Sequence, residues 1–470
     1  AEKVFDNLSL GTPYENSSSA ASPSRISSFF GRINYGYNDK YLATVTLRRD
    51  GSSVFGGNNK YAYFPGVSVG WKIDKEDFMA GAADKVDILK LRLGYGQSGN
   101  SGIDPYQSLS KYDMTTNGIL GQNKVSGATL TNYMENPDLK WETTSQVNLG
   151  IDYGFFSRLS GNLDFFVKNT KDMLVQVSQS PMTGHKYQWQ NAASMRVWGL
   201  EYSLNSTNIQ TRDFEWDTQL SFSWTDNKIT DYNVTDESTV AALNTIGVIK
   251  GERTNSYYTY VIDGIDPSSG SYRFKDLDGD GSITVKDKAI LGTPDPRVIL
   301  GFGNTFKYKN FALDIFFNAN FGNKMYNYSA MNFTLPNTFE TSNYMVDAMN
   351  YWSESNPNSD IAANRANGNG NALYNSRWIE DAWFIRLQNV TLSYNLASIP
   401  SLRKIFPTAK IYVQAQNLFL ITPYSGLDPE LANNAYMSSS ENLPAFLPGS
   451  VDMNAYPPAR TFTVGLNFSF

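Results

Sequence analysis

The feature that most constrains the fold is an alternation of apolar and polar residues, repeated along many segments of the chain. The last ten residues place Phe462, Val464, Leu466, Phe468 and Phe470 on one face and small polar residues on the other. A period of two is typical of a β-strand whose two faces meet different surroundings. Other segments carry charges on the polar face, so we expect that face to contact water and the other to contact an apolar medium.

Segments of this kind predict about thirteen strands, with boundaries accurate to about ±3 residues. Most are long enough to cross a membrane in the tilted arrangement of a barrel strand, which needs about 9–11 residues. The predicted spans are 26–37, 39–49, 61–75, 87–100, 140–154, 157–177, 192–207, 212–229, 296–308, 310–323, 377–396, 409–421 and 459–470.

The connections between these strands alternate between short and long. Short ones include 37–40, 154–158, 208–212 and 308–310, whereas longer ones include 101–139, 178–191, 230–295, 324–376 and 422–458. Short turns on the periplasmic side and long loops outside the cell are the arrangement of bacterial outer-membrane barrels. A soluble β-sandwich gives no reason for this alternation. The predicted fold is therefore all-β: a transmembrane antiparallel β-barrel with long extracellular loops, in the bacterial cell outer membrane.

The odd strand number has a consequence for the two ends of the chain. If Phe470 ends on the periplasmic side, residues 1–25 begin outside the cell, so we expect an extracellular loop segment there. Bacterial single-chain barrels have even strand numbers, so residues 26–470 are predicted to be part of a larger barrel. The missing half would be a separate chain or an upstream segment, and strands 26–37 and 459–470 would each pair with it because lipid leaves no other partner for their backbone groups.

Composition excludes several functional classes. The 470 residues include no cysteine and one histidine, so thiolate chemistry and multi-histidine metal sites are ruled out. A net charge of −6 argues against nucleic acid as a partner. No nucleophile motif or phosphate-binding loop is present, and we predict that the protein is not an enzyme. Aromatic residues make up 14%, which suits the two aromatic girdles of a membrane barrel.

Residues 276–287 match the twelve-residue pattern of an EF-hand calcium loop. Gly281 takes the position where the loop must turn sharply, and carboxylates this close together would repel one another without a cation. We predict a structural Ca²⁺ site, or alternatively Mg²⁺, within the extracellular loop 230–295; a solvated acidic turn is the other interpretation. The predicted ligands are the carboxylates of Asp276, Asp278, Asp280 and Asp287 and the backbone carbonyl of Ser282.

Several short stretches lie along the chain in a characteristic order and spacing. They are Phe30-Gly-Arg-Ile-Asn-Tyr35, Lys40-Tyr41, Arg49-Asp-Gly-Ser-Ser53, Phe64-Pro65, Gly70-Trp71, Leu91-Arg-Leu-Gly-Tyr-Gly96, Asn136-Pro-Asp-Leu-Lys-Trp-Glu142, Phe384-Ile-Arg-Leu-Gln-Asn-Val-Thr-Leu-Ser-Tyr394, Val413-Gln-Ala-Gln-Asn-Leu-Phe419 and Gly426-Leu-Asp-Pro-Glu430. Each stretch is weak evidence alone, but the series is specific. From about residue 26 to 470 it resembles SusC-type (SusC/RagA) TonB-dependent outer-membrane transporters.

The resemblance implies the C-terminal half of a 22-stranded barrel with an N-terminal plug. It also implies import of a large nutrient, a glycan or a peptide, together with a SusD-like surface lipoprotein that acts as a lid. TonB would act through the missing half, and lipid would surround the barrel. The alternative function is a secreted or surface β protein that binds carbohydrate and holds a structural calcium ion.

Overall fold

The structure is a computed structural model. It describes residues 23–109, 111–120, 123–335, 343–363, 374–403, 406, 408–430, 451–453 and 456–469. Phe470 and residues 1–22 lie outside this described part, so the extracellular position of the first 25 residues stays a prediction.

Thirteen strands form one antiparallel sheet in which each strand pairs with its neighbour in chain order. This confirms the predicted strand number and the partial-barrel architecture. The strands are β1 (Ile26–Tyr37), β2 (Tyr41–Ser52), β3 (Tyr61–Lys72), β4 (Val86–Asn100), β5 (Glu142–Phe155), β6 (Leu159–Ser178), β7 (Tyr187–Gln210), β8 (Phe214–Tyr232), β9 (Val298–Tyr308), β10 (Phe311–Phe321), β11 (Phe384–Asn395), β12 (Thr408–Ile421) and β13 (Thr461–Ser469).

The predicted boundaries deviate most at β7 and β11. β7 has 24 residues and β6 has 20, which is about twice what a membrane crossing needs. Their extra length continues beyond the membrane, where Tyr187 and Gln188 of β7 also pair with Tyr133 and Met134 of the 101–141 connection. β11 begins at Phe384 because residues 379–381 pair within the loop region instead of continuing the barrel wall.

Shorter elements lie in the connections. The α-helices span Glu237–Thr245, Tyr328–Thr334 and Pro400–Arg403. The 3₁₀ helices span Ile73–Lys75, Asp77–Ala82, Pro181–Thr183, Val285–Asp287, Val346–Asn350, Ser376–Trp378 and Leu396–Ser398. The loop strands are Tyr112–Leu120, Asn123–Leu130, Tyr133–Met134, Tyr258–Tyr260, Ile262–Ile265, Tyr272–Phe274, Lys288–Ile290, Lys324–Asn327, Ile379–Asp381 and Val451–Asp452. Within the described ranges, every helix is too short or too polar to cross a membrane.

The connections at one end of the sheet are tight hairpins. Asn38 and Asp39 both have positive φ, at 50° and 52°, and Phe156 and Ser157 repeat the pattern at 57° and 53°. Two successive positive φ angles belong to the hairpin turn whose twist matches that of the flanking strands. The connections 73–85 and 396–407 at this end are longer and contain short helical turns. The longest connections, 101–141, 233–297, 322–383 and 422–460, all leave from the other end.

The outward face of the sheet is apolar and uncovered. Leu149 on β5 pairs with Leu93 on β4 and with Phe165 on β6, and these side chains are 45%, 49% and 45% exposed. An uncovered apolar band of this kind fits contact with lipid rather than with water.

The inward face carries charges held in ion pairs. The Arg92 guanidinium lies 2.7 Å from an Asp152 carboxylate oxygen and 2.9 Å from an Asp164 oxygen. Gly150 leaves the room for this network, because a Cβ there would lie 2.4 Å from Asp164 and 2.7 Å from Arg92. The inside of the barrel wall is therefore polar, as the alternation predicts.

The hairpin end also carries an aromatic rim. Glu76 accepts hydrogen bonds from the Tyr41 hydroxyl at 2.7 Å, the Trp71 indole N–H at 2.9 Å and the Lys40 ammonium at 3.1 Å. These donors, the Tyr41 hydroxyl foremost, lower the pKa of Glu76 to about 2. The carboxylate thus fixes two girdle aromatics and the β1–β2 turn at one level of the barrel.

The two outermost strands, β1 and β13, each pair on one side only among the described residues. They do not pair with each other, so the sheet is open and the barrel is incomplete within this chain.

We expect that replacing Leu149 with arginine destabilises the protein by about 2–4 kcal/mol if this position lies near the membrane midplane. The reason is that a guanidinium on the outward face at this level contacts lipid, where neither water nor a counter-ion stabilises its charge. Leu313→Arg on β10 should have the same effect. Unfolding by denaturant of the intact barrel in lipid, followed by heat-dependent gel mobility, measures the loss.

Gln146→Arg is the matched control, since Gln146 lies three residues away on the inward face and lines a polar groove with Thr46 and Thr144. Its cost should stay within roughly 0.5 kcal/mol, as for ordinary water-facing positions. Equal costs at positions 146 and 149 would contradict the assignment of the two faces.

Candidate functional site in the extracellular loops

Three long connections at the loop end fold together around one apolar core. Buried side chains come from 233–297, from 322–383 and from the segment before β13, and they are Tyr257, Tyr272, Tyr326, Met331, Leu335, Ile361, Ala362, Trp378 and Val451. Burial raises the pKa of Tyr257 and of Tyr326 well above the ordinary value of 10.0, so both hydroxyls stay protonated. We call this unit the loop platform.

Hydrogen bonds between distant parts of the chain connect the loops of the loop platform. The Thr259 hydroxyl donates to the Tyr374 carbonyl at 2.8 Å, and the Ile262 N–H donates to the Ser376 hydroxyl at 2.9 Å. The Tyr424 hydroxyl donates to Asp452 at 2.7 Å, which ties the start of the 422–460 connection to its segment before β13. These contacts cross more than a hundred residues in two cases, so the platform depends on the barrel to bring its loops together.

A buried ion pair anchors the last loop to the barrel wall. Arg386 on β11 and Asp428 after β12 are 4% and 3% exposed, and their closest atoms are 2.6 Å apart. Glu430 adds a second carboxylate 3.2 Å from the Arg386 Nε. Two of the stretches singled out in the sequence therefore meet at this anchor: 384–394 supplies the arginine and 426–430 supplies both carboxylates.

Two more of the stretches singled out in the sequence, 64–65 and 136–142, meet in a smaller apolar core beside β3. Trp141 packs against Phe64 with ring centroids 5.7 Å apart and against Phe55 at 5.0 Å. Gly99 makes this possible, because a Cβ there would lie 2.2 Å from the Phe64 ring and 2.9 Å from the Trp141 ring. This core fixes the end of the 101–141 loop where it enters β5.

The predicted cation loop, 276–287, projects from the loop platform between two short strands. Lys288–Ile290 directly follows it and pairs with Tyr258–Tyr260, while Tyr272–Phe274 precedes it. Gly279 and Gly281 have φ of +75° and +83°, so both turn positions use the left-handed conformation that glycine adopts without strain. The loop is thus compact and attached to a buried core at both ends.

Three of the four predicted carboxylates converge. One oxygen from each of Asp276, Asp278 and Asp287 lies within 4.8 Å of the other two. Asp276 also accepts from the Gly279 and Gly281 N–H groups, at 2.7 and 2.8 Å. These separations would let one cation bind all three side chains.

The other two predicted ligands lie outside this convergence. Asp280 does not belong to the three-carboxylate group, and it accepts from the Ser282 N–H at 2.8 Å. The ligand roles of Asp280 and of the Ser282 carbonyl stay predictions.

Asp287 organises the loop from its buried end. Its two carboxylate oxygens accept from the Thr284 N–H at 2.7 Å and from the Leu277 N–H at 2.8 Å. These donors, Thr284 foremost, lower the pKa of Asp287 below its ordinary value of 3.8. An ionised carboxylate with oxygens facing the loop interior is the last-position group that a cation loop needs.

Sequence reasoning did not predict that three loops share one apolar core. The signal that could have indicated it is the density of large aromatic residues in loops, such as Tyr257, Tyr326 and Trp378, which is unusual for free loops. The residues of the Arg386 anchor were noticed only as parts of separate stretches.

Comparisons with known proteins agree with this architecture. The sequence profile of the family described as TonB dependent receptor-like, beta-barrel, matches residues 3–418. TonB-dependent receptor P3 of Formosa agariphila is 33% identical, over 100% of this chain and 48% of that protein. TonB-dependent receptor SusC of Bacteroides thetaiotaomicron is 31% identical, over 96% of this chain and 44% of that protein.

A solved structure described as the RagAB peptide transporter has a TM-score of 0.79 and 27% identity, covering 100% of this chain and 50% of that chain. The chain thus spans about half the length of the relatives it matches. Outer-membrane localisation follows from the family. The chain belongs to the TonB-dependent receptor β-barrel family, as a SusC-like member that corresponds to the C-terminal half of its relatives.

Proposed function

We propose that this chain is the C-terminal part of a TonB-dependent outer-membrane importer for a large nutrient, a glycan or a peptide. The observation that carries the proposal is the thirteen-strand sheet, whose two outermost strands pair on one side only among the described residues. The chain also matches about half of longer receptors along its whole length. A secreted carbohydrate-binding protein would not expose an apolar band and an open sheet edge to water. These features and the family assignment both support the importer.

The partners follow from the same incompleteness. We propose that β1 and β13 each pair with strands of the remaining half, which also supplies the plug and the contact with TonB. A SusD-like surface lipoprotein would cover the loop platform as a lid. The loop platform suits this role because it is a folded surface held at fixed height by the Arg386 anchor. The protein itself carries out transport and no catalysis.

We further propose that Asp276, Asp278 and Asp287 hold a structural Ca²⁺, or Mg²⁺ as the alternative, with Asp280 and the Ser282 carbonyl completing the ligand set. The support is the convergence of three carboxylates in a loop with glycine at both turn positions. A hard cation offsets the repulsion among these oxygens. Its role would be to stiffen the loop beside Lys288–Ile290.

Deleting the segment that encodes residues 26–470 should abolish uptake of one class of large nutrient and leave small-solute uptake unchanged. Fluorescently labelled oligosaccharides and peptides, compared in living cells, measure this and distinguish the two substrate classes. Loss of TonB should have the same effect on uptake as the deletion. Unimpaired uptake of every large substrate in the deletion strain would contradict an import function.

Asp276→Asn should weaken Ca²⁺ binding by roughly tenfold or more, because it removes a charge from the three-carboxylate group. Terbium luminescence and calorimetry on the intact protein measure the affinity. Asp280→Asn is the matched control: a similar loss would place Asp280 among the ligands, and a small loss would restrict the site to the three clustered carboxylates. Absence of any divalent cation by elemental analysis, with no effect of EGTA on loop proteolysis, would contradict the site.

Asp287→Asn should speed amide hydrogen exchange at Leu277 and Thr284 in EGTA, because one acceptor oxygen is lost. The lowered pKa of Asp287 sets the pH dependence: its stabilisation of the loop is fully present above 3.8 and falls away as pH drops through the lowered value. Exchange corrected for intrinsic rates should therefore be unchanged from pH 7 to pH 5. Accelerated exchange already at pH 5 in the unsubstituted protein would contradict this electrostatic role.

A further inference from the structure

One arginine on the outward face of the barrel has no ionic partner among the described residues. Arg49 lies on β2 and alternates outward with Val45 and Leu47, which are 51% and 53% exposed. Its neighbour Arg48 points inward and forms an ion pair with Asp50 at 2.6 Å. The two arginines are adjacent in sequence, yet across the described ranges a carboxylate compensates the charge of the inward one alone.

Tyrosine rings hold the Arg49 side chain in place. Its guanidinium carbon lies 4.2 Å from the centre of the Tyr61 ring and 5.8 Å from that of Tyr63. The Nε atom is enclosed and has no hydrogen-bond acceptor within the part of the chain that the structure describes. A guanidinium stacked on aromatic rings is attracted by their negative faces and keeps its terminal N–H groups available to a further anion.

Gly51 is needed for this arrangement. Tyr61 lies opposite Gly51 in the pairing of β2 with β3, and a Cβ at position 51 would lie 2.3 Å from the Tyr61 ring. With no side chain there, the ring lies across β2 toward Arg49. Because Tyr61 is nearer than Tyr63, the guanidinium leans toward the extracellular end and away from the apolar band.

The height of Arg49 in the membrane identifies its surroundings. Tyr41 marks the periplasmic aromatic rim, and Arg49 lies eight residues further along the same strand, or roughly 20 Å higher for a tilted barrel strand. The apolar band of such barrels is about 25 Å tall. Tyr61, Tyr63 and Phe29, all more than half exposed, form the outer rim at this level. The backbone of Arg49 therefore lies about 5 Å below the top of this band. Its long side chain, which leans toward the extracellular end, brings the guanidinium to the level where the headgroups of the outer leaflet begin.

From these observations we infer that Arg49, framed by Tyr61 and Tyr63, binds the phosphate of an anionic lipid in the outer leaflet. A dissolved substrate inside the barrel cannot reach this outward face, whereas lipid headgroups lie beside it. The guanidinium fork matches phosphate geometry, and the rings shield one side of it from water. The site concerns the membrane setting of the barrel and does not depend on what the protein imports.

The test uses the intact outer-membrane protein that contains this chain, with bound lipid counted by native mass spectrometry. The probes are lipid A carrying its phosphates, the same lipid without phosphates, and inorganic phosphate. Arg49→Gln should lower the affinity for phosphorylated lipid A by about fivefold, the change that corresponds to about 1 kcal/mol per basic residue at a charged membrane surface. Arg48→Gln, the inward control, should leave it unchanged.

Arg49→Lys keeps the charge and loses the fork and the stacking, so an intermediate affinity is expected. Tyr61→Leu should also weaken binding, and it serves as a second variant if Arg49→Gln does not fold. Equal affinity of the Arg49→Gln and Arg48→Gln proteins would overturn the inference. Equal binding of dephosphorylated lipid A, or displacement of the lipid by inorganic phosphate at similar concentration, would overturn it as well.

Discussion

The structure depends on the pairing of backbone N–H and C=O groups between neighbouring strands in a medium that offers no other partner. In hydrocarbon an unpaired peptide group costs several kcal/mol, so a sheet can cross the membrane only if each strand is bonded on both sides. Here twelve antiparallel pairings run without interruption from β1 to β13. The same requirement supports the proposal that the two outermost strands, β1 and β13, pair with strands of the remaining half.

The barrel wall supplies the rigidity that the extracellular loops lack by themselves. Three connections share one apolar core, and their hydrogen bonds join residues far apart in the sequence, such as Thr259 and Tyr374. Loop residues this distant meet only because the strand ends hold the loop bases at fixed spacing. The buried Arg386–Asp428 ion pair adds to this rigidity, because it fixes the loop after β12 to the barrel wall at a site that water does not reach. A functional surface on loops that a rigid scaffold positions is a common arrangement in binding proteins.

Charge is distributed by face along the barrel. Inward charges such as Arg92, Asp152 and Asp164 balance one another in networks, and glycine at position 150 provides the space that the network fills. Outward charges are rare and sit at the rims, where water or headgroups are within reach. Arg48 and Arg49 show how one residue step changes the partner completely: the first meets a carboxylate inside, and the second meets tyrosine rings outside.

The sequence by itself determined the strand number, the two faces and the side on which the long loops leave, because alternation with period two and the hairpin residues are local properties. It also indicated the carboxylates that converge in the predicted cation loop, because their spacing is set within twelve residues. It could not foresee that β7 continues beyond the membrane or that β11 starts at Phe384, since pairing with distant loop strands decides both. The shared core around Tyr257 and Tyr326 and the meeting of Arg386 with Asp428 are tertiary facts. They join residues whose separation along the chain carries no periodic signal, and only the closed packing of the loops over the barrel brings them together.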